Sequence, residues 1–167
     1  MNKQNIILIG MPGAGKSSVG VIPAKVLGYE FIDTDLVIQH REKRLLREII
    51  ADEGNEGFLA IENEVNATLE ANKSVIAPGG SAIYGKEAME HFKEIGTIVY
   101  LRLSYEDLAK RLGNLKGRGV VLKEGQTLKD LYDERSKLYE QYAEITVDES
   151  GRDIQGTILA LREQIGM

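Results

Sequence analysis

Asn5-Ile6-Ile7-Leu8-Ile9-Gly10-Met11-Pro12-Gly13-Ala14-Gly15-Lys16-Ser17-Ser18 is the stretch that decides the fold. Four aliphatic residues behind Asn5 make an apolar run too short for a helix. They lead directly into Gly10 to Ser17, an instance of G-x-x-x-x-G-K-[ST] placed between a buried strand and a helix. Polyphosphate oxygens need several donors converging on a small volume. Glycines at positions 10, 13 and 15 let backbone amides approach without Cβ atoms in the way. The helix N-terminus adds partial positive charge, Lys16 a cation for the β- and γ-phosphates, and the Ser17 hydroxyl a ligand for Mg²⁺. The expected nucleotide-binding set is therefore Gly10, Gly13, Ala14, Gly15, Lys16, Ser17 and Ser18, with ATP and Mg²⁺ as the implied ligands.

Outward from this loop, short apolar runs alternate with amphipathic stretches, the pattern of βαβ units around a parallel sheet. Strands are expected at Asn5 to Ile9, Glu30 to Ile32, Ser74 to Ala77, Thr97 to Leu103 and Ile145 to Val147. Helices are expected at Lys16 to Leu27, stopped by Gly28, after Ser104, at Leu128 to Ala143 and at Ile154 to Ile165. Pro23 falls inside the first helix, where it removes a donor and crowds the Val19 carbonyl, so a kink is expected.

The chain has 167 residues and 43% hydrophobic content, enough for one domain spanning 1–167 with its own core. A formal charge of −5 gives no positive field for nucleic acid or an anionic membrane. The chain has no cysteine, which fits a reducing compartment, and the N-terminus reads as a strand rather than a signal peptide or membrane span. A cytoplasmic monomer acting on a small molecule is the expectation.

The segment Phe31-Ile32-Asp33-Thr34-Asp35 places two carboxylates where the second strand ends, on the side where ligands gather in an open parallel sheet. Phosphoryl transfer to an alcohol needs a held metal and a carboxylate that takes or orients the hydroxyl proton. Asp33 and Asp35 can divide those roles. Taken alone, the pair also fits an ordinary helix N-cap with an Asp in the first turn. Residues 112–125, Leu-Gly-Asn-Leu-Lys-Gly-Arg-Gly-Val-Val-Leu-Lys-Glu-Gly, carry four glycines and several cations between two helices. That composition suits a lid able to bring Arg118 onto developing charge and expel water, as well as a merely solvated basic loop.

In order, GMPGAGKSSVG, FIDTDLVI, FLAIE, VIAPGGSAI, RGVVL and DERSKLYEQYAE resemble the successive motifs of the shikimate kinase family over nearly the whole chain. The resemblance implies a P-loop NTPase of the nucleoside-monophosphate-kinase-like α/β class. It implies a five-stranded parallel sheet in order 2-3-1-4-5 flanked by helices, an acceptor-binding region at about 34–72 and a mobile lid at about 112–125. It also implies ATP-dependent phosphorylation of shikimate, with Lys16, Asp35 and Arg118 catalytic. Asp33 would hold magnesium through water, together with Ser17. Gly79 and Gly80 would present amides to the acceptor, Arg135 would grip its carboxylate, and Arg111 would stack near adenine. For Arg135 a salt bridge to Glu134 or Glu140 is the plain alternative.

The chain departs from the family pattern at four positions. Leu59 stands where an arginine that shares the acceptor carboxylate is implied. Its loss would weaken a carboxylate-bearing acceptor by roughly ten- to a hundredfold. Pro78 and Ser81 alter the residues around the paired glycines, and Gly119 follows Arg118 where proline is implied. Arg41, Arg44 and Arg47, at helical spacing, either form a solvated face or place one guanidinium in the acceptor pocket. His40 and His91 read as surface or satisfied side chains. The alternatives are a related kinase for another small hydroxy acid or polyol, or a nucleotide-binding regulator without transfer.

Overall fold

The computed structural model describes residues 4–12, 14–113 and 125–166. Arg118 and most of the expected lid, and Gly13 of the loop, lie outside the described residues.

Five strands form one parallel sheet: β1 Asn5–Ile9, β2 Glu30–Asp33, β3 Ser74–Ala77, β4 Gly96–Arg102 and β5 Ile145–Asp148, in spatial order β2-β3-β1-β4-β5. This is the order and parallel sense expected. β4 begins one residue early because Gly96 pairs with Asn5.

Both faces of the sheet are covered, so its central strands read as unbroken apolar runs rather than alternating ones. On one face Ile7, Ile9, Ile76, Ile98 and Tyr100 pack against Met89 and Phe92 of α4 (Lys86–Ile95) and Leu131 and Tyr139 of α6 (Leu128–Tyr142). On the other, Ile6, Leu8, Val75, Val99 and Leu101 meet Val19 and Ala24 of α1 (Lys16–Leu27) and Ile158 and Leu161 of α7 (Ile154–Ile165). Gly20 sets the spacing of α1 against the sheet, since a Cβ there would stand 2.8 Å from Phe31 and 3.0 Å from Leu8. Asn5 closes the sheet's N-terminal edge: its buried amide donates to the Ala71 and Ile95 carbonyls and accepts from the Ser74 N–H, each at 3.0 Å.

α1 continues through Pro23 and ends at Gly28, which takes the left-handed conformation at φ 71°. The proline ring is buried, so its packing opposes the loss of one helix donor. Ser104 caps α5 (Tyr105–Gly113) by accepting from the Asp107 N–H at 3.2 Å.

Between β2 and β3 stand α2 (Thr34–Glu42) and α3 (Leu46–Ala67), built over their own small core of Ile38, Ile49, Phe58 and Val65. α3 is broken at Gly54, whose φ of 75° and ψ of 176° are not helical. Lys43, at φ 57°, ends α2. Arg41, Arg44 and Arg47 therefore do not share one helix face, despite their spacing.

Candidate active site

The loop after β1 folds as its glycines require. Gly10 sits at φ 153°, and a Cβ there would come within 2.8 Å of the Leu101 carbonyl oxygen. Gly15, at φ 78°, caps α1 in the left-handed region, and α1 has neither a side-chain cap nor an acidic residue in its first turn. That end of the helix is left for an anion. Lys16 turns back over the loop, its Nζ donating to the carbonyls of Gly10 at 2.7 Å and Met11 at 3.1 Å.

Beside the loop opens a cleft of about 740 Å³ whose walls include Gly15, Lys16, Ser18, Asp33, Asp35, Gly79, Gly80, Arg111 and Arg135. Most residues singled out in the sequence for this site thus converge on one cavity. Asp33 caps α2 by accepting from the Asp35 N–H at 3.0 Å, as the helix-cap reading expects, and both residues also line the cleft.

The paired glycines are demanded by close approach. A Cβ on Gly79 would lie 2.8 Å from an Asp35 carboxylate oxygen, and one on Gly80 would lie 2.7 Å from the Pro12 ring and 3.0 Å from an Arg135 guanidinium nitrogen. The two glycines let the acidic pair, the loop and Arg135 share a small volume.

Arg135 is only 1% exposed, so the surface salt-bridge reading does not hold. Its guanidinium lies 5.5 Å from the centre of the Tyr84 ring, its Nε has no hydrogen-bond partner, and it has no ion pair among the described residues. Glu134 instead accepts from the Tyr84 hydroxyl at 2.6 Å. Tyr139, one turn on, stacks on Tyr100 and donates to the Gly80 carbonyl at 2.6 Å, tying α6 to the glycine pair.

Charge in the cleft is tuned by burial. Desolvation brings the Lys16 ammonium down to about 8, with Arg135 adding to the fall and Asp35 opposing it. Asp35 rises to about 6, first through burial and then through the neighbouring Asp33, against the pull of Lys16. Such a carboxyl is poised to exchange a proton near neutrality.

Further buried carboxylates in or near the cleft were not singled out in the sequence. Glu62 is 1% exposed and lines the cleft; burial raises it to about 7 against the hydrogen bond from the Ser81 hydroxyl at 2.6 Å. Its other oxygen has no partner. The available signal was the spacing of Phe58 and Glu62, four residues apart on one helix face, and both line the cleft. Ser81 is thus held by Glu62. Glu149, 3% exposed, lies 4.0 Å from Arg111, and burial raises it to about 7. Arg111 stands beside the phosphate loop, 4.0 Å from where a Gly15 Cβ would be. Of the three spaced arginines, Arg41 binds Glu64 at 2.7 Å, Arg44 binds Glu42 and Asp52 at 3.1 Å, and Arg47 alone lines the cleft. Leu59 packs on the core between α2 and α3. His40 is exposed and the His91 ring bonds the Leu69 carbonyl at 2.6 Å, as expected of surface and satisfied histidines.

A phosphate loop at the switch point of a 2-3-1-4-5 parallel sheet, opening on a cleft with a poised carboxylate and a buried arginine, defines an ATP-dependent small-molecule kinase. The shikimate kinase family model matches residues 12–165. Shikimate kinase 2 of Yersinia enterocolitica is 34% identical over 154 residues, covering 87% of this chain and 86% of that one. The solved shikimate kinase of Acinetobacter baumannii, in complex with shikimate, superposes with a TM-score of 0.81 at 34% identity over 95% of this chain and 89% of its own. That of Bacteroides thetaiotaomicron gives 0.78 at 26% identity over 98% of each. The chain belongs to the shikimate kinase family.

Proposed function

We propose that this chain transfers the γ-phosphoryl group of Mg-bound ATP to a hydroxyl of shikimate, giving shikimate 3-phosphate and ADP. The observation that carries this reading is the convergence of Lys16, Asp35 and Arg135 on one cleft.

The acceptor oxygen forms the new O–P bond as the bond from γ-phosphorus to the β-phosphate bridging oxygen breaks, and Asp35 takes the hydroxyl proton. Lys16 leaves the loop carbonyls for the β- and γ-phosphates, where an anion restores the charged form that burial disfavours. Arg135 holds the acceptor's carboxylate, which gives a desolvated guanidinium the direct ion pair it lacks among the described residues, Glu62 acting on it only at longer range. Gly79 and Gly80 give the acceptor close access to backbone. Arg111 belongs to the nucleotide side, and Arg118, outside the described residues, is the cation we assign to the transferring group.

Among the described residues no group of three or more metal-ligating side chains gathers. Asp33 and Ser17 would be the protein contacts of a magnesium ion that arrives with the nucleotide. Bound there, it neutralises charge on the phosphates. No helix among the described residues is long and apolar enough to cross a membrane.

One observation favours a second acceptor of the same chemistry. Leu59 turns into the α2–α3 core and Ser81 is engaged with Glu62, so the acceptor side of the cleft differs from what the family pattern implies. A panel of small hydroxy acids and polyols, ranked by kcat/KM with Mg-ATP, distinguishes the two. Shikimate should lead the panel. A different hydroxy acid leading it, with shikimate inert, would replace the acceptor while keeping the chemistry.

A further inference from the structure

Arg47 faces the cleft without a partner. It lies in the first turn of α3 and lines the same cavity as Arg135, which comes from α6. Its neighbours in sequence spacing are committed elsewhere, Arg41 to Glu64 and Arg44 to Glu42, Asp52 and Glu53. The adjacent Glu48 is also occupied, accepting from the Leu45 N–H at 3.1 Å to close the start of the helix. Arg47 is exposed and has neither an ion pair nor a hydrogen bond among the described residues.

Helix stability does not explain this position. The N-terminal turn of a helix carries partial positive charge and disfavours a cation. The cleft lining also includes Leu45, Leu46 and Phe58, apolar side chains suited to the carbon face of a small ring, with Gln39 beside them. Lys16 and Arg111 stand at the phosphate loop, whereas Arg135 and Arg47 are the remaining cations lining the cleft among the described residues. Arg135 also keeps its Nε unpaired in a buried setting. Two guanidinium groups from different elements, neither in an ion pair among the described residues, match the planar, multidentate demand of a carboxylate.

We propose that Arg47 is a specificity-determining residue that grips the acceptor carboxylate together with Arg135, supplying from the start of α3 the charge that Leu59 does not. This rests on the kinase reading above and names how that site selects an anionic acceptor.

The test compares wild type, Arg47→Met and Arg47→Lys with shikimate and its methyl ester, by steady-state kinetics and by calorimetric binding. Arg47→Met should raise KM and Kd for shikimate about tenfold or more, the range of one charge-assisted hydrogen bond. The ester should change little, KM for ATP should hold, and Arg47→Lys should recover part of the loss. Unchanged shikimate affinity, or equal losses for acid and ester, would overturn the role of Arg47 and leave the kinase reading standing. A wild type that binds ATP but phosphorylates neither compound would overturn both.

Discussion

Asp35 carries the clearest pH signature. Its carboxyl, raised to about 6, has to be ionised to accept a proton, so kcat/KM for the acceptor should climb through pH 6 and level above it. Asp35→Asn should lower kcat/KM by roughly a hundred- to ten-thousandfold and abolish that limb, read from pH–rate profiles. Glu62 makes the opposite kind of contribution. Its folded value of about 7 lies above the ordinary 4.5, so the folded state binds the proton more tightly and stability falls as pH rises from 4.5 to 7. Glu62→Gln keeps an acceptor for Ser81 and should stabilise the protein at pH 8, by on the order of 2 kcal/mol, while changing little at pH 4. Thermal melts at the two pH values check this. Lys16 and Asp35 were legible because a motif fixed them to strand ends. Arg47 was legible only as one of three spaced arginines and Glu62 was not singled out, because which side chains of α3 face the cleft depends on how that helix lies against the paired glycines.

At the scale of elements, the five strands and helices α1, α5, α6 and α7 followed from apolar runs and their stops, whereas α2, α3 and α4 were not singled out. The two faces of the sheet are both buried, which is what continuous aliphatic runs such as Ile6 to Ile9 mean. Two features eluded the pattern. The break at Gly54 lies within a stretch whose polarity is uniform, and the left-handed Lys43 carries no glycine to announce it. The arginine stripe at 41, 44 and 47 consequently looked continuous and is not. Close packing gives an element-scale prediction. Gly20→Ala would press a methyl to 2.8 Å from Phe31 and 3.0 Å from Leu8, overpacking α1 against the sheet. A cost of about 1–3 kcal/mol in urea denaturation is expected, since the crowded neighbours are side chains that can partly yield. Gly80→Ala meets Pro12 at 2.7 Å and should impair turnover beyond its effect on stability, because it forces the phosphate loop and Arg135 apart.

For the molecule as a whole, sheet order places the phosphate loop at the centre, between β3 and β4, with the acidic pair at the end of β2 and the paired glycines at the end of β3. On the proposed reading, a single cleft receives a nucleotide from one side and an acceptor from the other, with Lys16 and Asp35 between them. The central claim is that this cleft couples the two ligands chemically. It is tested most directly by ADP formation from Mg-ATP with and without shikimate. The account predicts ADP release that depends on shikimate and is matched mole for mole by a phosphate ester on it. A protein that binds ATP yet releases ADP at the same rate whether or not shikimate is present would contradict it.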